Sequence, residues 1–200
     1  MRPGPPRLRR RQPRIGGDGT PEVFCADEQT DVVVDLERWQ DLARRVLLAE
    51  GVRGGTELSI FFVSKPDMAT LNADHMGVEG PTDVLSFPID GGAVVEIDTG
   101  GGSKGPDRPD PDRSDLPVLL GDVVICPAVA SDQAPTHAGC LDDELALLVV
   151  HGVLHVLGWD HATADERDAM FRRQRDLLSA HHWDGPVPDT YRVDTEENPS

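Results

Sequence analysis

The segment His151-Gly-Val-Leu-His155-Val-Leu-Gly158-Trp-Asp-His161 places three histidines and a glycine at spacings that predict a metal site. Residues four apart on a helix lie one above the other on the same face, so His151 and His155 can direct their rings at one point. Gly158 stands where a helix would end in a left-handed turn, which glycine adopts at little cost. Such a turn would bring His161 to the same point from outside the helix.

Three imidazoles in this arrangement predict a catalytic zinc site. Structural zinc sites have four protein ligands, whereas three neutral histidines leave one coordination position open. A water bound there has its pKa lowered by the zinc ion to about 7. We therefore predict one Zn²⁺ per chain, with a zinc-bound water held by His151, His155 and His161 as the catalytic group. Asp160 either orients a ligand imidazole through its second N–H or bonds the local backbone as a turn residue.

The residues before the first histidine predict the helix that carries this site. Asp142, Asp143 and Glu144 suit the first turn of a helix, where the macrodipole favours negative charge. From Leu145 onward the segment is apolar nearly all round, which is typical of a helix inside a core. We expect a buried central helix from Leu141 to Leu157, with the metal ligands on it.

The rest of the chain predicts a single α+β domain. Strands are expected at 32–34, 58–63, 84–87 and 119–126, and further helices begin after Asp35, Ser64 and Thr163. They imply a small three- to four-stranded mixed sheet packed with helices over residues 30–183. Residues 1–29 read as a basic disordered extension, 98–117 as a disordered insertion, and 184–200 as an acidic disordered tail.

Composition restricts the setting of the protein. The net charge of −17 is unusual for a protein that grips nucleic acid by its phosphates. The three cysteines have no CxxC spacing and read as reduced thiols of a cytoplasmic protein. The sequence contains neither a run of eighteen apolar residues nor a secretory signal, so we expect no membrane association.

The histidine spacing also occurs in the metzincin peptidases, where a glutamate follows the first histidine and acts as the general base. Here that position is Gly152, which has no group that can take a proton. We expect the missing side chain of Gly152 to leave room for substrate beside the metal. Gly152→Ala should then preserve or raise helix stability, since glycine in a helix interior is unfavourable by about 1 kcal/mol.

The sequence resembles the YbeY family of bacterial single-strand endoribonucleases and ribosomal RNA maturation factors. The resemblance rests on the 151–161 motif together with Pro81-Thr-Asp-Val-Leu-Ser-Phe-Pro88 and Leu120-Gly-Asp-Val-Val-Ile125. It implies an α+β fold, a zinc site at the three histidines, and a role in 16S rRNA 3′-end maturation and ribosome quality control. The implied partners are the 16S rRNA precursor, the pre-30S or 30S subunit, and a small-subunit protein or ribosome-assembly GTPase. No DNA is expected.

One departure from the family pattern concerns phosphate binding. Methionine stands at position 76, where many family members have an arginine, and it offers no bidentate grip on phosphate. Asp83, Ser86 and Gly152 are candidate substrate-binding residues, and Asp122 is a further candidate for the cleft.

Two other functions remain open from the sequence. One is a zinc metallopeptidase, against which Gly152 counts. The other is a non-catalytic ribosome-assembly factor whose metal holds the C-terminal helices together. The remaining histidines are expected to lie on the surface: His75, His137, His181 and His182.

Overall fold

A computed structural model describes residues 19–89 and 117–191 of the chain. Its elements follow the order β1 (Glu22–Asp27), α1 (Leu36–Ala49), β2 (Thr56–Phe62), α2 (Lys65–Met76), β3 (Val84–Pro88), β4 (Val118–Ile125), α3 (Pro127–Gln133), α4 (Leu141–Val156) and α5 (Ala164–His181). A short 3₁₀ turn, Ala134–Thr136, links α3 to the loop before α4. None of the helices within these two ranges is long and apolar enough to cross a membrane.

The four strands form one mixed sheet in the order β1-β2-β4-β3. Strands β1, β2 and β4 are parallel, and β3 runs antiparallel to β4 at the edge. Pro88 ends β3, at an edge position where a missing N–H is tolerated. The predicted α+β class, with three or four strands in a mixed sheet, is confirmed.

Helix α4 packs in the main core between the sheet, α1 and α5. Its residues from Leu145 to Val150 are all buried, as the apolar run predicts. A smaller cluster lies around Met68 of α2, Leu85 of β3 and Val124 of β4. The helix that carries two of the histidines is therefore the most enclosed in the fold.

A β-bulge fixes how β3 meets β4. Pairing between β2 and β4 shifts by one residue, so that Glu57 faces Leu119 and Leu58 faces Gly121. Gly121 has φ of 147°, and a Cβ on it would lie 2.3 Å from the Phe87 carbonyl oxygen. Glycine is required here because the edge strand comes that close.

The first strand is not where the sequence predicted it. Residues 32–34 are not a strand: the Gln29 side chain accepts from the amides of Asp31 and Val32 and donates to the Val32 carbonyl, and Val33 is 98% exposed. The first strand is Glu22–Asp27 instead, inside the segment assigned to the disordered extension. The strand lies at the sheet edge, and only Val23 of its six residues is fully buried. Its alternation of apolar and polar residues is therefore too short to identify a strand from the sequence.

The beginning of the predicted tail is also ordered against the domain. Tyr191 is buried, its hydroxyl contacts Gln174 of α5, and Thr190 lies so close to Gly139 that a Cβ there would come within 2.6 Å of it. The prediction that the tail is disordered is therefore wrong for residues 184–191. Residues 1–18, 90–116 and 192–200, which hold the rest of the predicted disordered segments, lie outside the described residues.

Candidate metal centre

The local sequence builds the site as predicted around the end of α4. The His155 carbonyl accepts from the Gly158 amide, and the Leu154 carbonyl accepts from the Trp159 amide. Gly158 has φ of 86°, and a Cβ there would meet nothing within 4 Å, so its left-handed conformation rather than close packing calls for glycine. The chain reverses at this turn and returns His161 to the face that carries the other two histidines.

The three imidazoles converge. The Nε2 atoms of His151 and His155 are 3.0 Å apart, and one ring nitrogen of each of the three histidines lies within 4.8 Å of the others. Nitrogen ligands of a tetrahedral zinc ion lie about 3.3 Å apart, given Zn–N bonds near 2.0 to 2.1 Å. His151 and His155 are half-buried, whereas His161 is exposed, so the cluster opens to solvent on one side.

The electrostatics favour the neutral, metal-binding form of these rings. Burial, and next the charge of His155, lower the pKa of His151 to about 4, against an ordinary value of 6.5. Burial, followed by the charge of His161, also lowers the pKa of His155. Both rings are therefore unprotonated at neutral pH, which is the state in which a histidine can bind a metal.

Hydrogen bonds orient two of the rings. Nδ1 of His151 lies 3.1 Å from Oε1 of Gln174, which can only accept, so the proton is on Nδ1 and Nε2 keeps its lone pair. His155 also makes a hydrogen bond to the backbone of Trp159. The donor set thus fits a metal ion between the three rings, and we assign His151, His155 and His161 as residues able to hold one.

Asp160 follows the turn alternative. Its Oδ1 accepts a hydrogen bond of 2.7 Å from the His161 backbone amide. This contact stabilises the loop that carries the third ligand. Orientation of a ligand imidazole by Asp160 stays a prediction.

The predicted substrate residues have different outcomes. Gly152 is buried, and a Cβ on it would lie 2.4 Å from Cγ1 of Val123, so the space beside it is filled by the sheet. The prediction that Gly152 leaves room for substrate is wrong. Asp122 follows Gly121 in β4 and adjoins Val123, and neighbouring strand residues face opposite sides of the sheet. Because Val123 faces α4, Asp122 faces the other side of the sheet, and its place in the cleft stays a prediction.

Asp83 and Ser86 lie close to the metal helix. The charge of Asp83 raises the pKa of His151, although burial outweighs it. Ser86 Oγ donates to the Gly152 carbonyl at 3.3 Å, which ties β3 to the helix turn between the two ligands. Asp83 Oδ1 accepts from Thr82 Oγ1 and from the Val84 amide. Their contact with substrate stays a prediction.

Several residues that support the site were not singled out from the sequence. Gln174 is completely buried on α5 and bonds both His151 and Tyr191. Glu50, at the end of α1, accepts from Trp159 Nε1 at 3.1 Å and from Arg173 Nε at 2.5 Å. A glutamine in the apolar row of α5 between Met170 and Leu177 was a visible signal, whereas the Glu50 contacts join positions more than a hundred residues apart.

Two of the four remaining histidines are not simply surface residues. His137 Nδ1 lies 2.8 Å from the completely buried Glu144, and His182 Nε2 lies 2.8 Å from Asp143. Both contacts hold the first turn of α4, at the end of the helix away from the metal centre. His75 packs its ring edge-on against Phe87.

The fold and the site together define a small α+β protein in which three histidines able to hold a metal ion form a cluster that is open to solvent on one side. The model of the family described as "Endoribonuclease YbeY" matches residues 24–182. The "Endoribonuclease YbeY" of Mycobacterium sp. (strain KMS) is 40% identical over 168 residues, which cover 84% of this chain and 87% of that protein. The protein of the same name from Acidothermus cellulolyticus is 47% identical over 157 residues, covering 76% of this chain and 87% of the relative.

The fold is also similar to the solution structure of TM1509 from Thermotoga maritima. The TM-score is 0.50 at 20% sequence identity, with 81% of this chain and 90% of that chain covered. This similarity concerns the fold. The family match and the relatives show that the chain belongs to the endoribonuclease YbeY family, and it is an enzyme of the hydrolase class.

Proposed function

We propose that this protein is a zinc-dependent endoribonuclease specific for single-stranded RNA. The observation that carries the proposal is the convergence of His151, His155 and His161 on a point that is open to solvent beside the exposed His161 ring. Its family relatives are named endoribonucleases. An open coordination position is what a catalytic metal needs to meet a substrate.

Zinc is the metal that best suits this donor set. Imidazole nitrogen is a favoured zinc ligand, and three neutral rings leave the ion its full charge of +2. When bound, the ion would supply Lewis acidity toward a phosphoryl oxygen and a nucleophile derived from water near neutral pH. The transition state of phosphate diester cleavage carries negative charge, which an ion with its full charge would stabilise.

The chain's own residues would hold the geometry. Gln174 keeps the proton of His151 on Nδ1, and the turn at Gly158 fixes the approach of His161. Glu50 and Asp160 restrain the loop between these residues through Trp159 Nε1 and the His161 amide. Asp83 and Ser86, at the start of β3, are the residues we assign to the substrate-facing border of the site.

The substrate we propose is the 3′ end of precursor 16S rRNA in a pre-30S or 30S particle. A net charge of −17 gives little attraction for free RNA. Met76, which is 63% exposed at the end of α2, offers no cation where many family members have arginine. Affinity would then come from the metal and from a ribosomal partner, either a small-subunit protein or an assembly GTPase, in the cytoplasm.

A peptidase with metzincin chemistry is not proposed. Gly152 carries no carboxylate, and its Cβ position faces Val123 of the sheet rather than the open side of the histidines. An acid at this position would be buried against the sheet.

The test combines metal analysis with RNA cleavage. Purified wild type should hold about one zinc ion per chain and cut single-stranded precursor 16S rRNA, whereas His155→Ala should lose most of both. His181→Ala, a histidine replacement outside the site, serves as the matched control and should behave as wild type. A His155→Ala protein that cleaves as fast as wild type would overturn the proposal.

Removal of the metal from wild type distinguishes a catalytic metal from a purely structural one. If zinc only holds the C-terminal helices together, removing it should melt the protein without any cleavage activity to lose. Retained folding with loss of cleavage on metal removal supports the nuclease, and zinc-loaded wild type that fails to cleave RNA either free or in pre-30S particles contradicts it.

A further inference from the structure

A buried chain of two hydrogen bonds runs from the segment after α5 to the metal centre. Tyr191 accepts a hydrogen bond of 3.2 Å at its hydroxyl from Nε2 of Gln174. Oε1 of Gln174 in turn lies 3.1 Å from Nδ1 of His151. Gln174 is completely buried and Tyr191 is 8% exposed, so water does not compete for these contacts.

The orientation of the Gln174 amide decides the tautomer of His151. The amide of Gln174 has one accepting end and one donating end, and turning it over would place its NH₂ group against His151. In the orientation observed, the NH₂ group of Gln174 donates to the Tyr191 hydroxyl and the amide oxygen faces His151. The imidazole must then carry its proton on Nδ1, which leaves the Nε2 lone pair toward the other two histidines.

We propose that Gln174 and Tyr191 are positioning residues of the metal centre, which set the ring orientation and tautomer of His151. The inference rests on the three histidines holding a metal, as in the proposed function. Partners of this kind change metal affinity by about 10- to 100-fold when removed. It follows that the segment up to Tyr191, which the sequence indicates only as an acidic tail, completes the site.

The choice of an amide has a chemical consequence. A carboxylate at position 174 would accept the same hydrogen bond from His151 and would accept from the Tyr191 hydroxyl, but it would add a negative charge beneath the metal. The neutral amide orients the ring while leaving the charge of the cation undiminished. This matters for an anionic substrate, since added negative charge near the metal would oppose phosphate.

The experiment measures zinc affinity by competition with a chromophoric chelator, on the full-length protein. Gln174→Met keeps about the volume of glutamine without its acceptor and should weaken zinc binding at least tenfold. Gln174→Glu restores the acceptor and should bind zinc as tightly as wild type or more tightly. Tyr191→Phe keeps the ring and should weaken binding by a smaller factor, because the Gln174 NH₂ group then loses its acceptor and the amide is held less firmly.

Two further readouts exclude a general loss of stability. Leu177→Ala, at an equally buried position on the same helix, should lower the melting temperature and leave zinc affinity within twofold of wild type. Long-range ¹H–¹⁵N spectra of the metal-free protein at neutral pH should show His151 protonated on Nδ1 in wild type and in Gln174→Glu. In Gln174→Met, which lacks the acceptor, this population should be reduced.

The outcomes distinguish this inference from the proposed function. Wild type without measurable zinc affinity would remove the metal site itself. Tight zinc binding that is unchanged within twofold in Gln174→Met and Tyr191→Phe would overturn the positioning role and leave the site standing. A Gln174→Glu protein that binds zinc as weakly as Gln174→Met would show that shape, not the acceptor, matters at this position, and would also overturn it.

Discussion

At Gly152, helix α4 approaches strand β4 so closely that no side chain fits between them. A Cβ there would lie 2.4 Å from one methyl of Val123 and 3.2 Å from the other, so both methyls crowd the position. The position between the two ligand histidines therefore sets the distance between the metal helix and the sheet. The helix propensity of glycine, which costs about 1 kcal/mol against alanine, is the smaller effect.

We therefore expect Gly152→Ala to destabilise the protein, contrary to the expectation from helix propensity alone. Overpacking of a core costs about 1–3 kcal/mol, which exceeds the propensity gain. Urea denaturation should show this as a lower midpoint. In a Val123→Ala background the same change should be neutral or stabilising, and equal effects of Gly152→Ala in both backgrounds would contradict the packing argument.

His151 links the stability of the metal-free protein to pH. Its pKa is about 4 in the folded chain and about 6.5 when unfolded, so the unfolded state takes up a proton first as the pH falls. The contribution of His151 to stability is complete above pH 6.5 and is lost progressively between 6.5 and 4. The linked loss reaches about 3 kcal/mol at most.

Melting of chelator-treated protein between pH 7 and 4.5 tests this linkage. Wild type should lose more stability over that interval than His151→Gln, in which the titrating group is absent. Parallel pH profiles for the two proteins would show that His151 is not held in its neutral form by the fold.

Among the elements, the end of α1 acts on the metal loop. The two carboxylate oxygens of Glu50 separately accept from Trp159 of the loop and Arg173 of α5, and Arg173 also donates to the Ala49 carbonyl. Three elements thus meet at one side chain that is 12% exposed. A glutamine in its place has one oxygen and can satisfy only one of the two donors.

Glu50→Gln should lower the melting temperature and loosen the loop that carries His161. Leaving a largely buried donor unsatisfied costs about 1–3 kcal/mol. Zinc affinity should fall, and the fluorescence of Trp159 should change, when measured in a variant lacking the other two tryptophans.

Asp41→Ala is the control on the same helix. It removes an exposed ion pair with Arg45, of the kind that contributes at most about 1 kcal/mol. If Asp41→Ala and Glu50→Gln have equal effects on zinc affinity, the Glu50 contacts do not position the loop.

For the molecule as a whole, the net charge of −17 governs how it meets RNA. Each phosphate contact made by a cationic side chain releases counterions and steepens the fall of affinity with salt. A protein with this charge makes few such contacts, so its binding to free single-stranded RNA should be weak and only shallowly dependent on salt.

Fluorescence anisotropy with a single-stranded fragment of the 16S rRNA 3′ region, from 50 to 200 mM salt, tests this expectation. We expect a slope of log affinity against log salt that corresponds to about one to three phosphates, well below the six to ten contacts of strongly basic binding proteins. A slope in that higher range would show that a cluster of cationic side chains contacts the RNA despite the negative net charge.

Sequence alone predicted the local features of this protein. The spacing of the three histidines, the left-handed turn at Gly158 and the capping box of Thr163 with Glu166 each depend on residues only a few positions apart. Such contacts follow from helix geometry and from the backbone preferences of the residues. They can therefore be predicted once the helix itself is assigned correctly. The family motifs are also short continuous segments, so they could be identified from the sequence in the same way.

Tertiary structure decided what lies next to those features. Three contacts join distant parts of the sequence. Val123 fills the space at Gly152, Glu50 holds the metal loop, and Tyr191 completes a hydrogen-bond chain to His151. The edge strand Glu22–Asp27 is of the same kind, because it is stabilised by pairing with β2 rather than by its own pattern. Periodicity records whether a residue is buried, but the identity of its neighbour depends on how the chain returns through the core.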